Sequence, residues 1–147
     1  MITLKSPKHL GLLLVAIAFS TMYLCESRGL NKGSEKFHEI EKLWATLPVY
    51  PGMTQIENSS NSTGRAASVA AKFRSDATYE EVHQFYINQL KEQSWIFQRE
   101  KTLSNWGRNQ GGMELTWNRG DYQMSIEYSG RPGYEWNYAI GIYWYQK

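Results

Sequence analysis

The sequence predicts an α+β domain: a curved antiparallel sheet in the order β-β-α-β-β-β-β, with one main helix across one face and an N-terminal membrane or signal helix ahead of it. Three observations carry this expectation. Around residues 79–93, Tyr79, Val82, Phe85, Tyr86 and Leu90 recur at the spacing of one helical face. The segments on either side alternate apolar and polar residues with the period of a strand. The stretches joining the later segments are too short for the parallel crossover of about a dozen residues, so neighbours must pair antiparallel.

The chain begins with Lys5, Lys8 and His9, then runs from Leu10 to Cys25 without a charge until Glu26. That charge order puts the N-terminus in the cytoplasm and the remainder across the membrane. At about 1.5 Å per residue the run reaches roughly 24 Å, short of a typical hydrocarbon core, so it stands between an anchor and a signal peptide. Ala18-Phe19-Ser20 has the small residues that cleavage after Ser20 would need, while Thr21 to Cys25 prolong the apolar character as a retained anchor would. The reading favours the anchor, with a secreted or periplasmic product as the alternative. Leu24 before Cys25 lacks the small side chain of a lipoprotein processing site. The organisation expected is a signal-anchor or signal peptide over 1–26, a linker over 27–34 and an extracytoplasmic domain over 35–147.

Within the domain, Ser34 precedes a helical stripe of Phe37, Ile40, Trp44 and Leu47, stopped by Pro48. This helix either continues the membrane segment or lies across the domain. A strand is expected from Met53 to Glu57, the polar run Asn58 to Gly64 as a hairpin tip, and a returning strand from Arg65 to Arg74. Thr78 and Glu81 form a capping box for the main helix. Four strands follow, marked by Trp95, Phe97 and Arg99; by Met113, Leu115 and Trp117; by Tyr122, Met124, Ile126 and Tyr128; and by Tyr138, Ile140, Ile142 and Trp144. Gly111-Gly112 reads as a hairpin loop, and Arg119-Gly120-Asp121 as a tight turn whose match to the integrin tripeptide is ordinary loop chemistry.

Composition excludes several function classes. Of sixteen Lys and Arg only Lys5 and Lys8 precede the apolar run, so residues 26–147 carry equal numbers of basic and acidic side chains. A neutral domain lacks the charge that general nucleic-acid binding needs, and no nucleic acid is expected as a partner. Cys25 is the sole cysteine, and His9, His38 and His83 show no metal-ligand spacing, so neither a metal nor another cofactor is expected.

Pro48-Val49-Tyr50-Pro51-Gly52, Tyr79-Glu80-Glu81-Val82, Phe85-Tyr86, Leu90 and Trp95 together resemble a small exported bacterial domain met beside membrane anchors, over roughly residues 47–146. The chain departs from that pattern at Ser94, where a Gly usually stands before the Trp. The resemblance implies a bacterial envelope protein and brings no catalytic residue with it; the charge order around residues 10–25 adds the expectation of a single pass through the inner membrane.

Candidate sites are therefore few. If Ile140, Ile142 and Trp144 face the helix, Tyr143 and Tyr145 face away, and with Trp106, Tyr134 and Trp136 they form an aromatic binding surface. The competing expectation is that the Phe37 to Leu47 helix covers these rings. Glu114 and Glu127 fall on the polar face of neighbouring strands and could meet, the minimum for paired acid and base chemistry. The leading expectation is a non-enzymatic accessory domain that meets an envelope protein through the aromatic face or the loops 109–112 and 129–135. The alternatives are a glycan or small-ligand module and, third, a hydrolase using Glu114 and Glu127.

Overall fold

The computed structural model describes residues 32–147 apart from 106, 107, 132 and 134; the expected membrane segment over 10–25, Trp106 and Tyr134 lie outside the described residues. The chain is α+β. Six strands, β1 (Thr54–Ser62), β2 (Ala66–Arg74), β3 (Ile96–Asn105), β4 (Arg108–Arg119), β5 (Tyr122–Tyr128) and β6 (Tyr138–Tyr145), form one antiparallel sheet in the spatial order β1-β2-β6-β5-β4-β3. Among the described residues two helices accompany them, α1 over 32–45 and α2 (Tyr79–Glu92).

Period-two alternation decides which side of the sheet is covered. Tyr138, Ile140, Ile142 and Trp144 on β6 stand beside Met124 and Ile126 on β5, Leu115 and Trp117 on β4, and Ala67, Ala71 and Phe73 on β2, all buried in one core. Helix α2 lays Val82, Tyr86 and Leu90 into that core, and α1 adds Ile40, which is fully buried. Both helices therefore lie on the same side.

Helix α1 is held on that face by polar contacts as well. Lys36 Nζ donates to Tyr122 Oη and to Glu39 Oε2, each at 3.1 Å, and the Tyr122 hydroxyl donates to the same carboxylate. The hydrogen bonds from Tyr122 and Lys36 hold the Glu39 carboxyl below its ordinary pKa. Gly33 sits so close to the Thr63 carbonyl that any Cβ would collide with backbone, which brings the start of α1 against the β1–β2 turn. Gln93 Nε2 donates 2.9 Å to Thr46 O, tying the ends of the two helices together.

Helix α2 begins with the expected capping box: Glu81 N donates to Thr78 Oγ1 at 3.3 Å and Thr78 N to Glu81 Oε2 at 2.8 Å. Its end resolves the departure at Ser94. Trp95 N donates to Leu90 O and Ser94 N to Lys91 O, a complete Schellman motif, with Ser94 at φ 64°, the left-handed region that glycine occupies without cost. Trp95 and Leu90, the two positions whose apolar side chains accompany such a cap, are both buried in the core.

Five local expectations are corrected. Strand β1 does not stop at Glu57 but runs through the polar Asn-Ser stretch to Ser62, because an outer strand needs only its backbone to pair with β2; all nine residues are exposed. The hairpin tip is accordingly shorter, spanning 63–65. Gly111-Gly112 lies inside β4, with Gly112 Cα close enough to the backbone of Ser129 and Tyr128 that a side chain would crowd it, so 109–112 is strand and not loop. Register shifts between Gln55 and Glu57 and between Phe97 and Arg99 are bulges, and the second turns Arg99 to the side opposite Phe97. Helix α1 already includes residues 32–34.

Two outcomes check this packing. Replacing Ser94 by Gly removes the left-handed strain and should raise unfolding stability by about 1 kcal/mol in denaturant titration. Ile40→Ala should cost about 3 kcal/mol if α1 belongs to the core, as a fully buried isoleucine does; a helix merely continuing from the membrane would show no loss.

Candidate functional site

The second face of the sheet carries no helix among the described residues. Its side chains stand in cross-strand rows set by the register. One row reads Ser59, Ala70, Gly141, Ser125, Thr116 and Arg99. The next reads Glu57, Lys72, Ala139, Glu127, Glu114 and Lys101. Small residues thus occupy the middle of the face and charged ones flank them.

Tyr143 and Tyr145 are on this face, as their alternation with Trp144 requires, and their rings lie parallel with centroids 6.4 Å apart. Tyr143 folds back over Gly141, whose position a Cβ would fill at the expense of that ring, and its hydroxyl bonds to Ser125. Burial pushes the Tyr143 hydroxyl above its usual pKa. Tyr145 is 60% exposed and supplies the accessible ring. Trp136 reaches the other end of the face, with Lys72 Nζ 5.6 Å from its ring centroid. Helix α1 packs on the opposite side, so it does not cover these tyrosines.

A groove of about 190 Å³ opens beside the small residues, walled by Glu57, Lys72, Glu127 and Tyr143 over a floor that includes Ala70 and Ala139. Lys72 Nζ is 2.7 Å from Glu57 Oε2, closing one wall with an ion pair. Sequence inspection had no means of finding Ser125 or Gly141, since their importance rests on where Tyr143 lies.

Glu114 and Glu127 are directly opposite one another on β4 and β5. Their environments differ: Lys101 Nζ lies 2.5 Å from Glu114 Oε2, whereas burial first and the Glu114 charge second raise the pKa of Glu127, with Lys101 opposing. The groove reaches Glu127 but its lining does not include Glu114, so it does not receive both carboxyls.

The histidines are peripheral. His38 Nδ1 meets Glu41 Oε2 at 3.0 Å on the outer side of α1, and His83 stacks on Tyr79 with Nε2 3.9 Å from Glu100 Oε2. No group of three or more potential metal ligands occurs among the described residues, and no helix there is long and apolar enough to cross a membrane. Gly120 and Asp121 form a two-residue hairpin turn after Arg119, the last residue of β4, with Gly120 at φ 59°. In comparisons with known proteins the chain matches no family model, no curated protein and no solved structure.

The Glu127 environment has a pH signature. A carboxyl whose folded pKa is raised binds more protons in the folded state between the two values, so stability falls as pH rises from the ordinary glutamate range through the raised value. Glu127→Gln should remove that fall and leave the variant the more stable protein above the window. Paired denaturant titrations across pH check it, and a wild type that gains stability relative to the variant through the window would contradict the assignment.

Proposed function

We propose that the chain is a non-enzymatic accessory domain of the bacterial envelope, tethered through residues 10–25 and binding a protein partner on the uncovered face of its sheet. The observation that carries this reading is the parallel Tyr143–Tyr145 pair standing on a sheet face over which no helix lies among the described residues. Tyrosine rings of this kind are enriched where proteins meet, because each supplies a large apolar body with a polar tip. The Glu57–Lys72 and Glu114–Lys101 pairs beside them offer alternating charge, which sets orientation and excludes wrong partners more than it adds affinity. The charge order around Leu10 to Cys25 supports an N-terminus in the cytoplasm and a domain on the outer side of the inner membrane.

The glutamate pair favours acid–base chemistry less. A general acid and its partner must reach one substrate, yet the groove receives Glu127 without Glu114, whose carboxylate is engaged by Lys101.

A photoreactive phenylalanine analogue installed at Tyr145 in the full-length chain, in native membranes, should give one discrete cross-linked product. The same analogue at His38, exposed on the opposite side of the molecule, should give none. Absence of any product at Tyr145 in a folded, membrane-integrated chain would remove the proposal.

A further inference from the structure

Strand β1 poses a question that packing does not answer. On β2, β5 and β6 the helix-side positions carry apolar residues, as β4 does up to Trp117, whereas on β1 the same side presents Gln55, Asn58, Ser60 and Ser62. All are exposed, so the strand contributes nothing to the core that its backbone pairing would not contribute with any other polar sequence. Against this polar row stands one stripe of α1: Phe37, Glu41 and Trp44, spaced so that they share a helix face. Between strand and helix lies a groove of about 430 Å³, with Val69 in its floor.

The geometry points to this groove as a binding site for a neutral saccharide of mono- or disaccharide size. Its volume falls within the roughly 300 to 1,000 Å³ of small-molecule sites. Two aromatic side chains, Phe37 and Trp44, are half-buried rather than closed over, and they line one wall. The C–H face of a pyranose ring is apolar and stacks on such surfaces, while its rim is a ring of hydroxyls, each both donor and acceptor. The facing wall answers that rim: the carboxamides of Gln55 and Asn58 offer donors and acceptors, and the Ser60 hydroxyl offers both. Glu41 contributes an acceptor-only carboxylate and is oriented by His38 Nδ1 at 3.0 Å.

The charge of the lining argues against other ligands. No lysine or arginine is among the residues that line the groove, and its one ionised group is an acid, so phosphates and carboxylates are disfavoured. A purely apolar ligand would strand the carboxamides without partners. This groove opens on the helix side of the sheet; at the β1 edge it shares Asn58 and Ser59 with the groove beside Tyr143, but Phe37, Glu41 and Trp44 line it alone, so either assignment can fail without the other.

The test is titration of the isotope-labelled full-length chain, held in a zwitterionic detergent free of sugar groups, with chitobiose, cellobiose and maltose separately. At least one should shift the Trp44 indole N–H and the Asn58 side-chain amide resonances with a millimolar Kd, and Asn58→Ala should weaken that binding about tenfold. Because Asn58 is exposed on β1, that variant keeps the fold, whereas Trp44 also packs against the core. Tyr143→Ser with Tyr145→Ser should leave the affinity unchanged. Failure of all three sugars to shift these resonances at 50-fold above millimolar concentration, or shifts confined to the tyrosine face, would overturn the assignment.

Discussion

The architecture depends on the parity of six strands. Side chains of a strand alternate between two faces, so once Trp117, Met124, Ile126, Ile140 and Ile142 are aligned on one side by the register, everything between them is committed to the other. That single alignment draws both helices to one face, because the continuous apolar surface lies there. A slip of one residue in β6 would send its isoleucines and Trp144 to solvent and bury Tyr143 and Tyr145 instead.

The same commitment shapes the second face. No helix among the described residues packs there; its middle is filled by small residues, Ala70, Ala139, Gly141 and Ser125, and its flanks carry the Glu57–Lys72 and Glu114–Lys101 ion pairs. Longer side chains lean over the short ones, as Tyr143 does over Gly141, so Ser125 and Thr116 are buried without any further layer. Such a face presents one exposed ring, Tyr145, beside paired charges, which is the surface the proposed partner would meet. On the helix side, α1 leaves the outermost strand uncovered, and the polar row of β1 faces its aromatic stripe across a groove.

Much of the fold could be read from the sequence because its elements are locally consistent: Thr78 and Glu81 cap a helix with an intact apolar stripe, and Tyr122 to Tyr128 and Tyr138 to Tyr145 alternate cleanly. What could not be read lies where backbone pairing alone decides. The run from Asn58 to Ser62 has the composition of a loop and becomes a strand because β2 supplies its hydrogen bonds. Gly111 and Gly112 look like a turn and sit in a strand where the neighbouring backbone comes close. The outward direction of Tyr143 and Tyr145 followed from their spacing, but the pinning of Tyr143 by Ser125 joins two strands and has no local signature. Phe37 and Trp44 read as core residues, and their place in a groove became visible only with β1 beside them.

The central claim is that the face bearing Tyr145 is occupied in the membrane while the helix-side surface is not. Hydroxyl-radical footprinting of the full-length chain, in native membranes and after purification, tests this directly. Tyr145 and Ile96 both point to the uncovered face and are 60% and 66% exposed, while Val49, at 50%, precedes β1 in the turn after α1 and serves as an internal reference. The account predicts that Tyr145 and Ile96 are protected in membranes and oxidised once purified, with Val49 oxidised equally in both. Equal oxidation of Tyr145 and Ile96 in the two states would contradict it.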